Sequence, residues 1–300
     1  MISRKHFPII GLRLATLGIL LLGVCGISRV PSAAIAEPKA ENPPIRIGFF
    51  TVEKEAKTTR EFADRLAKHP GFDVTRLTGE TIRSGKLAGI DVVIFPGGSG
   101  SAQGKALEAE GREIVRDFVR NGGGYIGICA GAYLASADYD WSLAILDAKV
   151  IDRTHWARGW GDVDLKTTSA GCSILGLKPN RDRVHYHQGP LLAPAARAEI
   201  PDFTPLAIYE GEIAKNGAPK GVMPGTTAMA SSEFGKGRVI AISPHPERSP
   251  GMEQVIPQAI GWVLRRPVPA PGRLEPAKQP ESKPTSDAPK VSKPAETKPK

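Results

Sequence analysis

The run YIGIC (125–129) has no charged or amide side chain at any position, with three glycines before it (122–124) and Ala130-Gly131 after it. A strand that is apolar on both faces must be covered on both faces, as in a parallel sheet flanked by helices. In DVVIF (91–95) and RVIAI (238–242) the four residues after the leading Asp91 and Arg238 share this property. Three such strands constrain the chain more tightly than its composition does, and they call for an α/β architecture.

The intervening segments supply the helices. IRIGFF (45–50) reads as a strand, and EAKTTREFADRLAKH (55–69) as a helix with Phe62 and Leu66 on one face. GFDVTRL (71–77) alternates as a strand. KALEAEGREIVRDFVRNGGG sets Leu107, Ile114, Val115 and Phe118 at helical spacing and stops at Asn121-Gly122. Strand and helix alternating at short spacing predict a doubly wound, mostly parallel sheet in a flavodoxin-like three-layer sandwich. The stretch 140–235 is less regular, with strand readings at AKVI, DVDLKTT, RVHYH, LAIYE and TTAMASS. A closing helix is predicted over 251–266, with Pro257 kinking it or delaying its start.

Both ends have a different character. Arg4 and Lys5, a charge-free stretch from Leu14 to Ile27, and the small-residue series PSAAIAEP form the three parts of a secretory signal peptide over 1–36, with cleavage after Ala36. The apolar stretch is short of the roughly 20 residues of a spanning helix. Export to a periplasmic or secreted location is therefore expected. Residues 265–300 hold nine prolines and few large apolar side chains, the composition of a disordered Pro/Lys-rich tail. That tail carries nine basic and four acidic residues, and segment 1–36 carries four basic and no acidic ones. Together they account for the formal charge of +9, which leaves a neutral body over 37–264. The basic balance is thus no argument for nucleic-acid binding, although the tail can make weak envelope contacts with anionic surfaces.

In an open α/β sheet, ligands bind beyond the carboxyl ends of the strands. Gly127-Ile128-Cys129-Ala130-Gly131 has the pattern of a nucleophile elbow, with glycines leaving room for a tight turn and a helix N-terminus that favours a thiolate. SPHPE (243–247) follows RVIAI, and His245 and Glu247 lie two apart, the spacing for a base and a carboxylate that orients it. FPGGSG (95–100) follows DVVIF, and the N–H groups of Gly97 and Gly98, with that of Ala130, can face an oxyanion. Cys129 has a bland reading as well, that of a small buried thiol, and pairing with Cys172 is a further possibility. His185 and His187 share a strand face and, with His155, are candidate metal ligands, although packing or pocket lining is the preferred reading and no metal or other cofactor is expected. Trp156 and Trp160, in a predicted loop, can hold a ligand or cap the core.

Elbow, glycine loop and SPHPE, in this order and each after a buried strand, resemble the class I glutamine amidotransferase-like superfamily over about 45–264. GGGYIGICAGAYLAS, HYHQGP and GKGRVIAISPHPE are most similar to the domain at the N-terminus of fungal-type biotin–protein ligases. The resemblance implies a Cys129 nucleophile, a His245 base oriented by Glu247, and an oxyanion hole at Gly98 and Ala130. It also implies a substrate-facing wall at Tyr186, His187 and Gln188, and a substrate-holding position at Tyr133. Where glutaminases carry Gly-His-Gln after the elbow, this chain has Gly131-Ala132-Tyr133. No synthetase or biotin-ligase catalytic domain is expected beside the body, so neither biotin transfer nor glutamine-dependent amidotransfer is implied. The expected function is a cysteine-dependent amidase or hydrolase acting through a thioester on a small-molecule or peptide-like substrate. The alternative is a binding or scaffold module that keeps the pocket without turnover.

Overall fold

The computed structural model describes residues 43–277, apart from 54, 180–181 and 270–271. The signal-peptide expectation (1–36) and most of the tail expectation (278–300) lie outside the described residues.

Each fully apolar run forms a strand. β1 (Ile45–Phe50), β2 (Phe72–Leu77), β3 (Val92–Phe95), β4 (Gly124–Ile128) and, much later in the chain, β11 (Gly237–Ile242) pair in parallel in the order β2-β1-β3-β4-β11. Helices α1 (Lys57–Ala67), α2 (Gly79–Arg83), α3 (Gly100–Arg120) and α4 (Ala130–Ala135) connect and cover the first four strands, and α6 (Val255–Val263) follows β11. Phe62 and Leu66 of α1 share one core with Val255 and Ile260 of α6, against Ile47, Ile126 and Ile240 of the sheet. Ile82, Leu107, Val115 and Leu134 form the core on the other face, with Val93 and Val239. Each such fully buried side chain contributes roughly 1.5–3 kcal/mol, so the sheet is held from both sides, as its apolar strands require. This is the expected α/β fold, doubly wound, with the chain reversing direction across the sheet between β1 and β3.

The irregular middle becomes an antiparallel extension. β10 (Thr227–Phe234) pairs with β11 and is followed by β9 (Thr204–Tyr209), β6 (Trp160–Thr167) and β7 (Asp182–His187). β5 (Ala148–Ile151) and β8 (Leu191–Pro194) pair with each other and join through β8 to β10. α5 (Ser169–Leu175) lies between β6 and β7, capped by the Thr168 hydroxyl, which accepts from Gly171 N at 3.0 Å.

Two boundaries differ from the sequence reading. α6 begins at Val255 rather than 251, with Pro257 in its first turn, where an N–H would have no intrahelical partner. The packed body also runs past 264. Leu274 is 5% exposed and donates its N–H to Glu253 O at 3.0 Å, and Arg65 holds the Glu275 carbonyl at 2.8 Å. One leucine among prolines is enough to seat this stretch on the core, which composition alone did not reveal. Among the described residues, no helix is long and apolar enough to cross a membrane.

Candidate active site

The carboxyl ends of β3, β4 and β11 open into one cavity of about 700 Å³. Cys129 sits at the turn from β4 into α4 with φ 51° and ψ −98°, a left-handed conformation that is uncommon for a residue with a side chain. Close packing holds it there. A Cβ on Gly127 would collide with the Gly131 carbonyl, and one on Gly131 with the Phe95 carbonyl. The Tyr125 hydroxyl donates to Gly131 O at 2.8 Å, and Cys129 N donates to Ile242 O at 2.8 Å, tying the elbow to the end of β11.

His245 and Glu247 bracket the start of a 3-10 turn (Pro246–Arg248) directly after β11. The His245 ring meets Glu247 Oε1 through Nδ1 at 2.7 Å, and both side chains are buried. Burial disfavours charge on His245, but the carboxylate of Glu247 and the neighbouring Cys129 outweigh it and push the imidazole up to about 10. Glu247 responds in the opposite sense: burial raises it, and the His245 charge and hydrogen bond bring it below its ordinary range. Cys129 Sγ donates to the His187 carbonyl at 3.4 Å.

The glycine loop closes the site from the side of β3. Gly97 and Gly98 line the cavity, and Gly98 has φ +140°, which favours glycine. Ala130 is the first residue of α4, where backbone N–H groups lack intrahelical partners.

The substrate-wall expectations divide. Tyr133, His187 and Gln188 line the cavity, and the Tyr133 hydroxyl donates to Gln188 O at 3.2 Å. Tyr186 does not line it, and this corrects the sequence reading. Its side chain is fully buried, its hydroxyl donates to Gly189 O at 2.8 Å, and its ring packs edge-on against Tyr209. The strand period is the reason. His185 and His187 share one face of β7, so Tyr186 faces the core. A further clamp sets β7 against the SPHPE turn: His245 N donates to His185 O at 2.8 Å, and Ser249 Oγ bridges His185 N and His245 O.

His185 and His187 lie with their ring centroids 6.3 Å from that of His245. Burial and nearby cationic groups hold both below their ordinary value. His155 is elsewhere, bonded to Asp152 at 2.6 Å, so the three histidines do not converge. Among the described residues no group of three or more His, Cys, Asp or Glu is arranged to hold a metal ion. Cys172 is a free, partly buried thiol in α5, and Cys129 is likewise free. Trp156, 54% exposed, stands at the cavity wall, whereas Trp160, 58% exposed, lies at the start of β6 beneath the Lys215 ammonium. Sequence reasoning missed Tyr139, Trp141, Arg153 and Arg248, which also line the cavity. They come from connections with no hydropathy period, and only their clustering in space reveals them.

Residues 56–156 match the family described as biotin-protein ligase, N terminal, a span that includes the glycine loop and the elbow and ends before His245. In structure the chain is similar to PurLQS from Thermotoga maritima, at 15% identity and a TM-score of 0.51, covering 74% of this chain and 98% of that one. It is also similar to a ThuA-like protein from Bacteroides uniformis, at 14% identity and a TM-score of 0.50, covering 76% of this chain and 94% of that one. Among curated proteins none matches the chain in sequence. What these two likenesses show is the fold, an α/β sandwich of the kind that both neighbours carry.

Proposed function

We propose that this protein is an exported cysteine-dependent amidase or hydrolase whose nucleophile is Cys129. The observation that carries the reading is the buried His245–Glu247 pair at 2.7 Å, coupled to a cysteine held in a strained turn at the mouth of a cavity. His245 takes the Cys129 thiol proton, and Sγ attacks an amide or ester carbonyl, so that a C–S bond forms as the carbonyl π bond opens to an oxyanion. The N–H groups of Gly98 and Ala130, with Gly97 beside them, receive the oxyanion. As the tetrahedral intermediate collapses, the C–N or C–O bond breaks and His245 gives its proton to the leaving amine or alcohol. Water, deprotonated by His245, then cleaves the thioester to a carboxylic acid and restores the thiol. Glu247 keeps the ring oriented and supports its positive charge throughout.

Alkylation of the full chain with iodoacetamide across pH tests the nucleophile. Cys129 is expected to react faster at neutral pH than a free model thiol, and Cys172 to react as an ordinary one. Equal rates at the two cysteines would overturn the assignment. A covalent adduct of acyl mass on Cys129 after exposure to activated esters supports turnover through a thioester. Ligand binding that survives Cys129→Ser, with no such adduct in the wild type, would instead assign the pocket to a binding module.

A further inference from the structure

The charges around the catalytic cavity are one-sided. Among the described residues, Glu247 is the one acidic residue on its wall, and its Oε1 is committed to His245. Two arginines face the same space. Arg153 is engaged, with its guanidinium 3.6 Å from Asp138 and stacked 4.2 Å over the Tyr139 ring. Arg248 is different. Among the described residues its half-buried side chain has no ion-pair or hydrogen-bond partner. Its backbone is fixed, because Arg248 N donates to His245 O at 3.1 Å within the 3-10 turn. The free guanidinium is therefore carried by the same turn that holds the base and its carboxylate. Glu247 acts on it electrostatically but is committed to His245, so this half-buried cation favours a further anionic group in the space it faces.

The rest of the wall limits what that anion is attached to. Tyr139 and Trp141 stack at 4.5 Å, and Trp156 extends the aromatic surface towards the rim. A cavity of about 700 Å³ exceeds what a small anion alone would fill and lies within the ordinary range for organic ligands. Arg248 also borders a second groove, lined by residues of both signs such as Lys57, Asp64, Asp162 and Arg183. That groove supplies carboxylates of its own, so the unmet demand for negative charge lies in the catalytic cavity.

We infer that the catalytic cavity takes a carboxylate-bearing, peptide-like amide or ester, with Arg248 as the residue that reads the carboxylate and the Tyr139–Trp141–Trp156 surface receiving its apolar body. This rests on the assignment of Cys129 as nucleophile, and the test separates the two. The probes are N-bromoacetyl-phenylalanine and its neutral carboxamide. In each reaction Cys129 Sγ displaces bromide, and a C–S bond forms as the C–Br bond breaks. Rates at Cys129 are measured by mass spectrometry on the full chain, in wild type, Arg248→Gln and Arg248→Lys, and are expressed as the ratio of anionic to neutral probe.

The wild-type ratio is expected to exceed that of a free thiol by about tenfold, the effect of one charge-assisted contact. Arg248→Gln should abolish the excess, Arg248→Lys should keep part of it, and raised salt should reduce it. The same ratio in wild type and both variants, with Cys129 still alkylated, overturns the role of Arg248 and leaves the nucleophile standing. Failure of both probes to label Cys129 in the wild type overturns the nucleophile itself, and this inference with it.

Discussion

Gly97→Ala tests the geometry of the site through one methyl group. A Cβ at this position would stand 2.8 Å from His245 Cε1 and 3.7 Å from both His245 Nδ1 and Cys129 Cβ. Carbon atoms settle at about 3.5–4.0 Å, so the ring must retreat by roughly 0.7 Å. It has little freedom to do so. Nδ1 is held by Glu247 Oε1 at 2.7 Å, the backbone N–H is bonded to His185 O, and the side chain is buried. Overpacking of this kind costs about 1–3 kcal/mol. In a body of this size about 2 kcal/mol corresponds to a Tm lower by roughly 4–8 °C. A displacement near 1 Å in a catalytic group costs up to about a hundredfold in rate, so alkylation of Cys129 by iodoacetamide at neutral pH should slow by at least roughly tenfold. Gly98→Ala is the control. Nothing lies within 4 Å of its added Cβ, but its φ of +140° makes the substitution strained. It should therefore lower Tm while leaving the alkylation rate close to wild type. A Gly97→Ala protein with wild-type Tm and wild-type alkylation would show that the ring does not pack on this glycine, and the positioning argument would fail.

Glu247→Gln removes a main support of the His245 charge, so the imidazole should titrate below its wild-type value of about 10. Because the folded-state value lies above the ordinary 6.5, the stabilisation is complete below pH about 6.5 and is lost as pH rises through about 10. Denaturant titrations should find the gap between wild type and variant widest near pH 6 and narrowing towards pH 10; a gap that widens with pH would refute the assignment. Tyr186→Phe orphans the buried Gly189 carbonyl and should cost about 1–3 kcal/mol in stability. It should leave the anionic-to-neutral probe ratio unchanged, whereas a changed ratio would return Tyr186 to the binding surface.

The parts of this molecule that could be read from its sequence are those with a strict period or a local stop signal. β1 was bounded correctly at both ends, at Ile45 and Phe50, because its apolar run is closed on both sides by polar or proline-containing segments. α2 was missed because five residues are too few for a helical period. Its one signal was Thr78 with Thr81, whose hydroxyls and backbone N–H groups cap each other. α5 was missed although it carries a capping Thr168 and a left-handed stop at Gly176, since its seven residues make fewer than two full turns, too few for a helical period. The convergence of the ends of β4 and β11, before Cys129 and before the His245 turn, was legible because both are buried strands that parallel pairing brings together. Arg153 and Arg248 were not legible as wall residues, because a loop arginine next to other polar residues carries no mark of the cavity it will face.

The run after the elbow is where sequence and structure together say most about specificity. Ala132 is fully buried in the core beneath the elbow, so no polar group at that position reaches the cavity. Tyr133 does reach it, and its hydroxyl is spent on the Gln188 carbonyl, joining α4 to the turn after β7. The wall beside Cys129 is thereby closed by a hydrogen bond within the protein and offers a ligand mainly ring surface. Polar recognition must then come from elsewhere on the cavity, and among the described residues the cationic groups that face it are His245, paired with Glu247, Arg153, already paired with Asp138, and Arg248. Under the proposed function, a chain that changes the residues after its elbow in this way gives up recognition beside the nucleophile and moves it onto the turn that carries the base. Substitutions at Tyr133 should then alter the shape of ligand accepted, while substitutions at Arg248 should alter its charge.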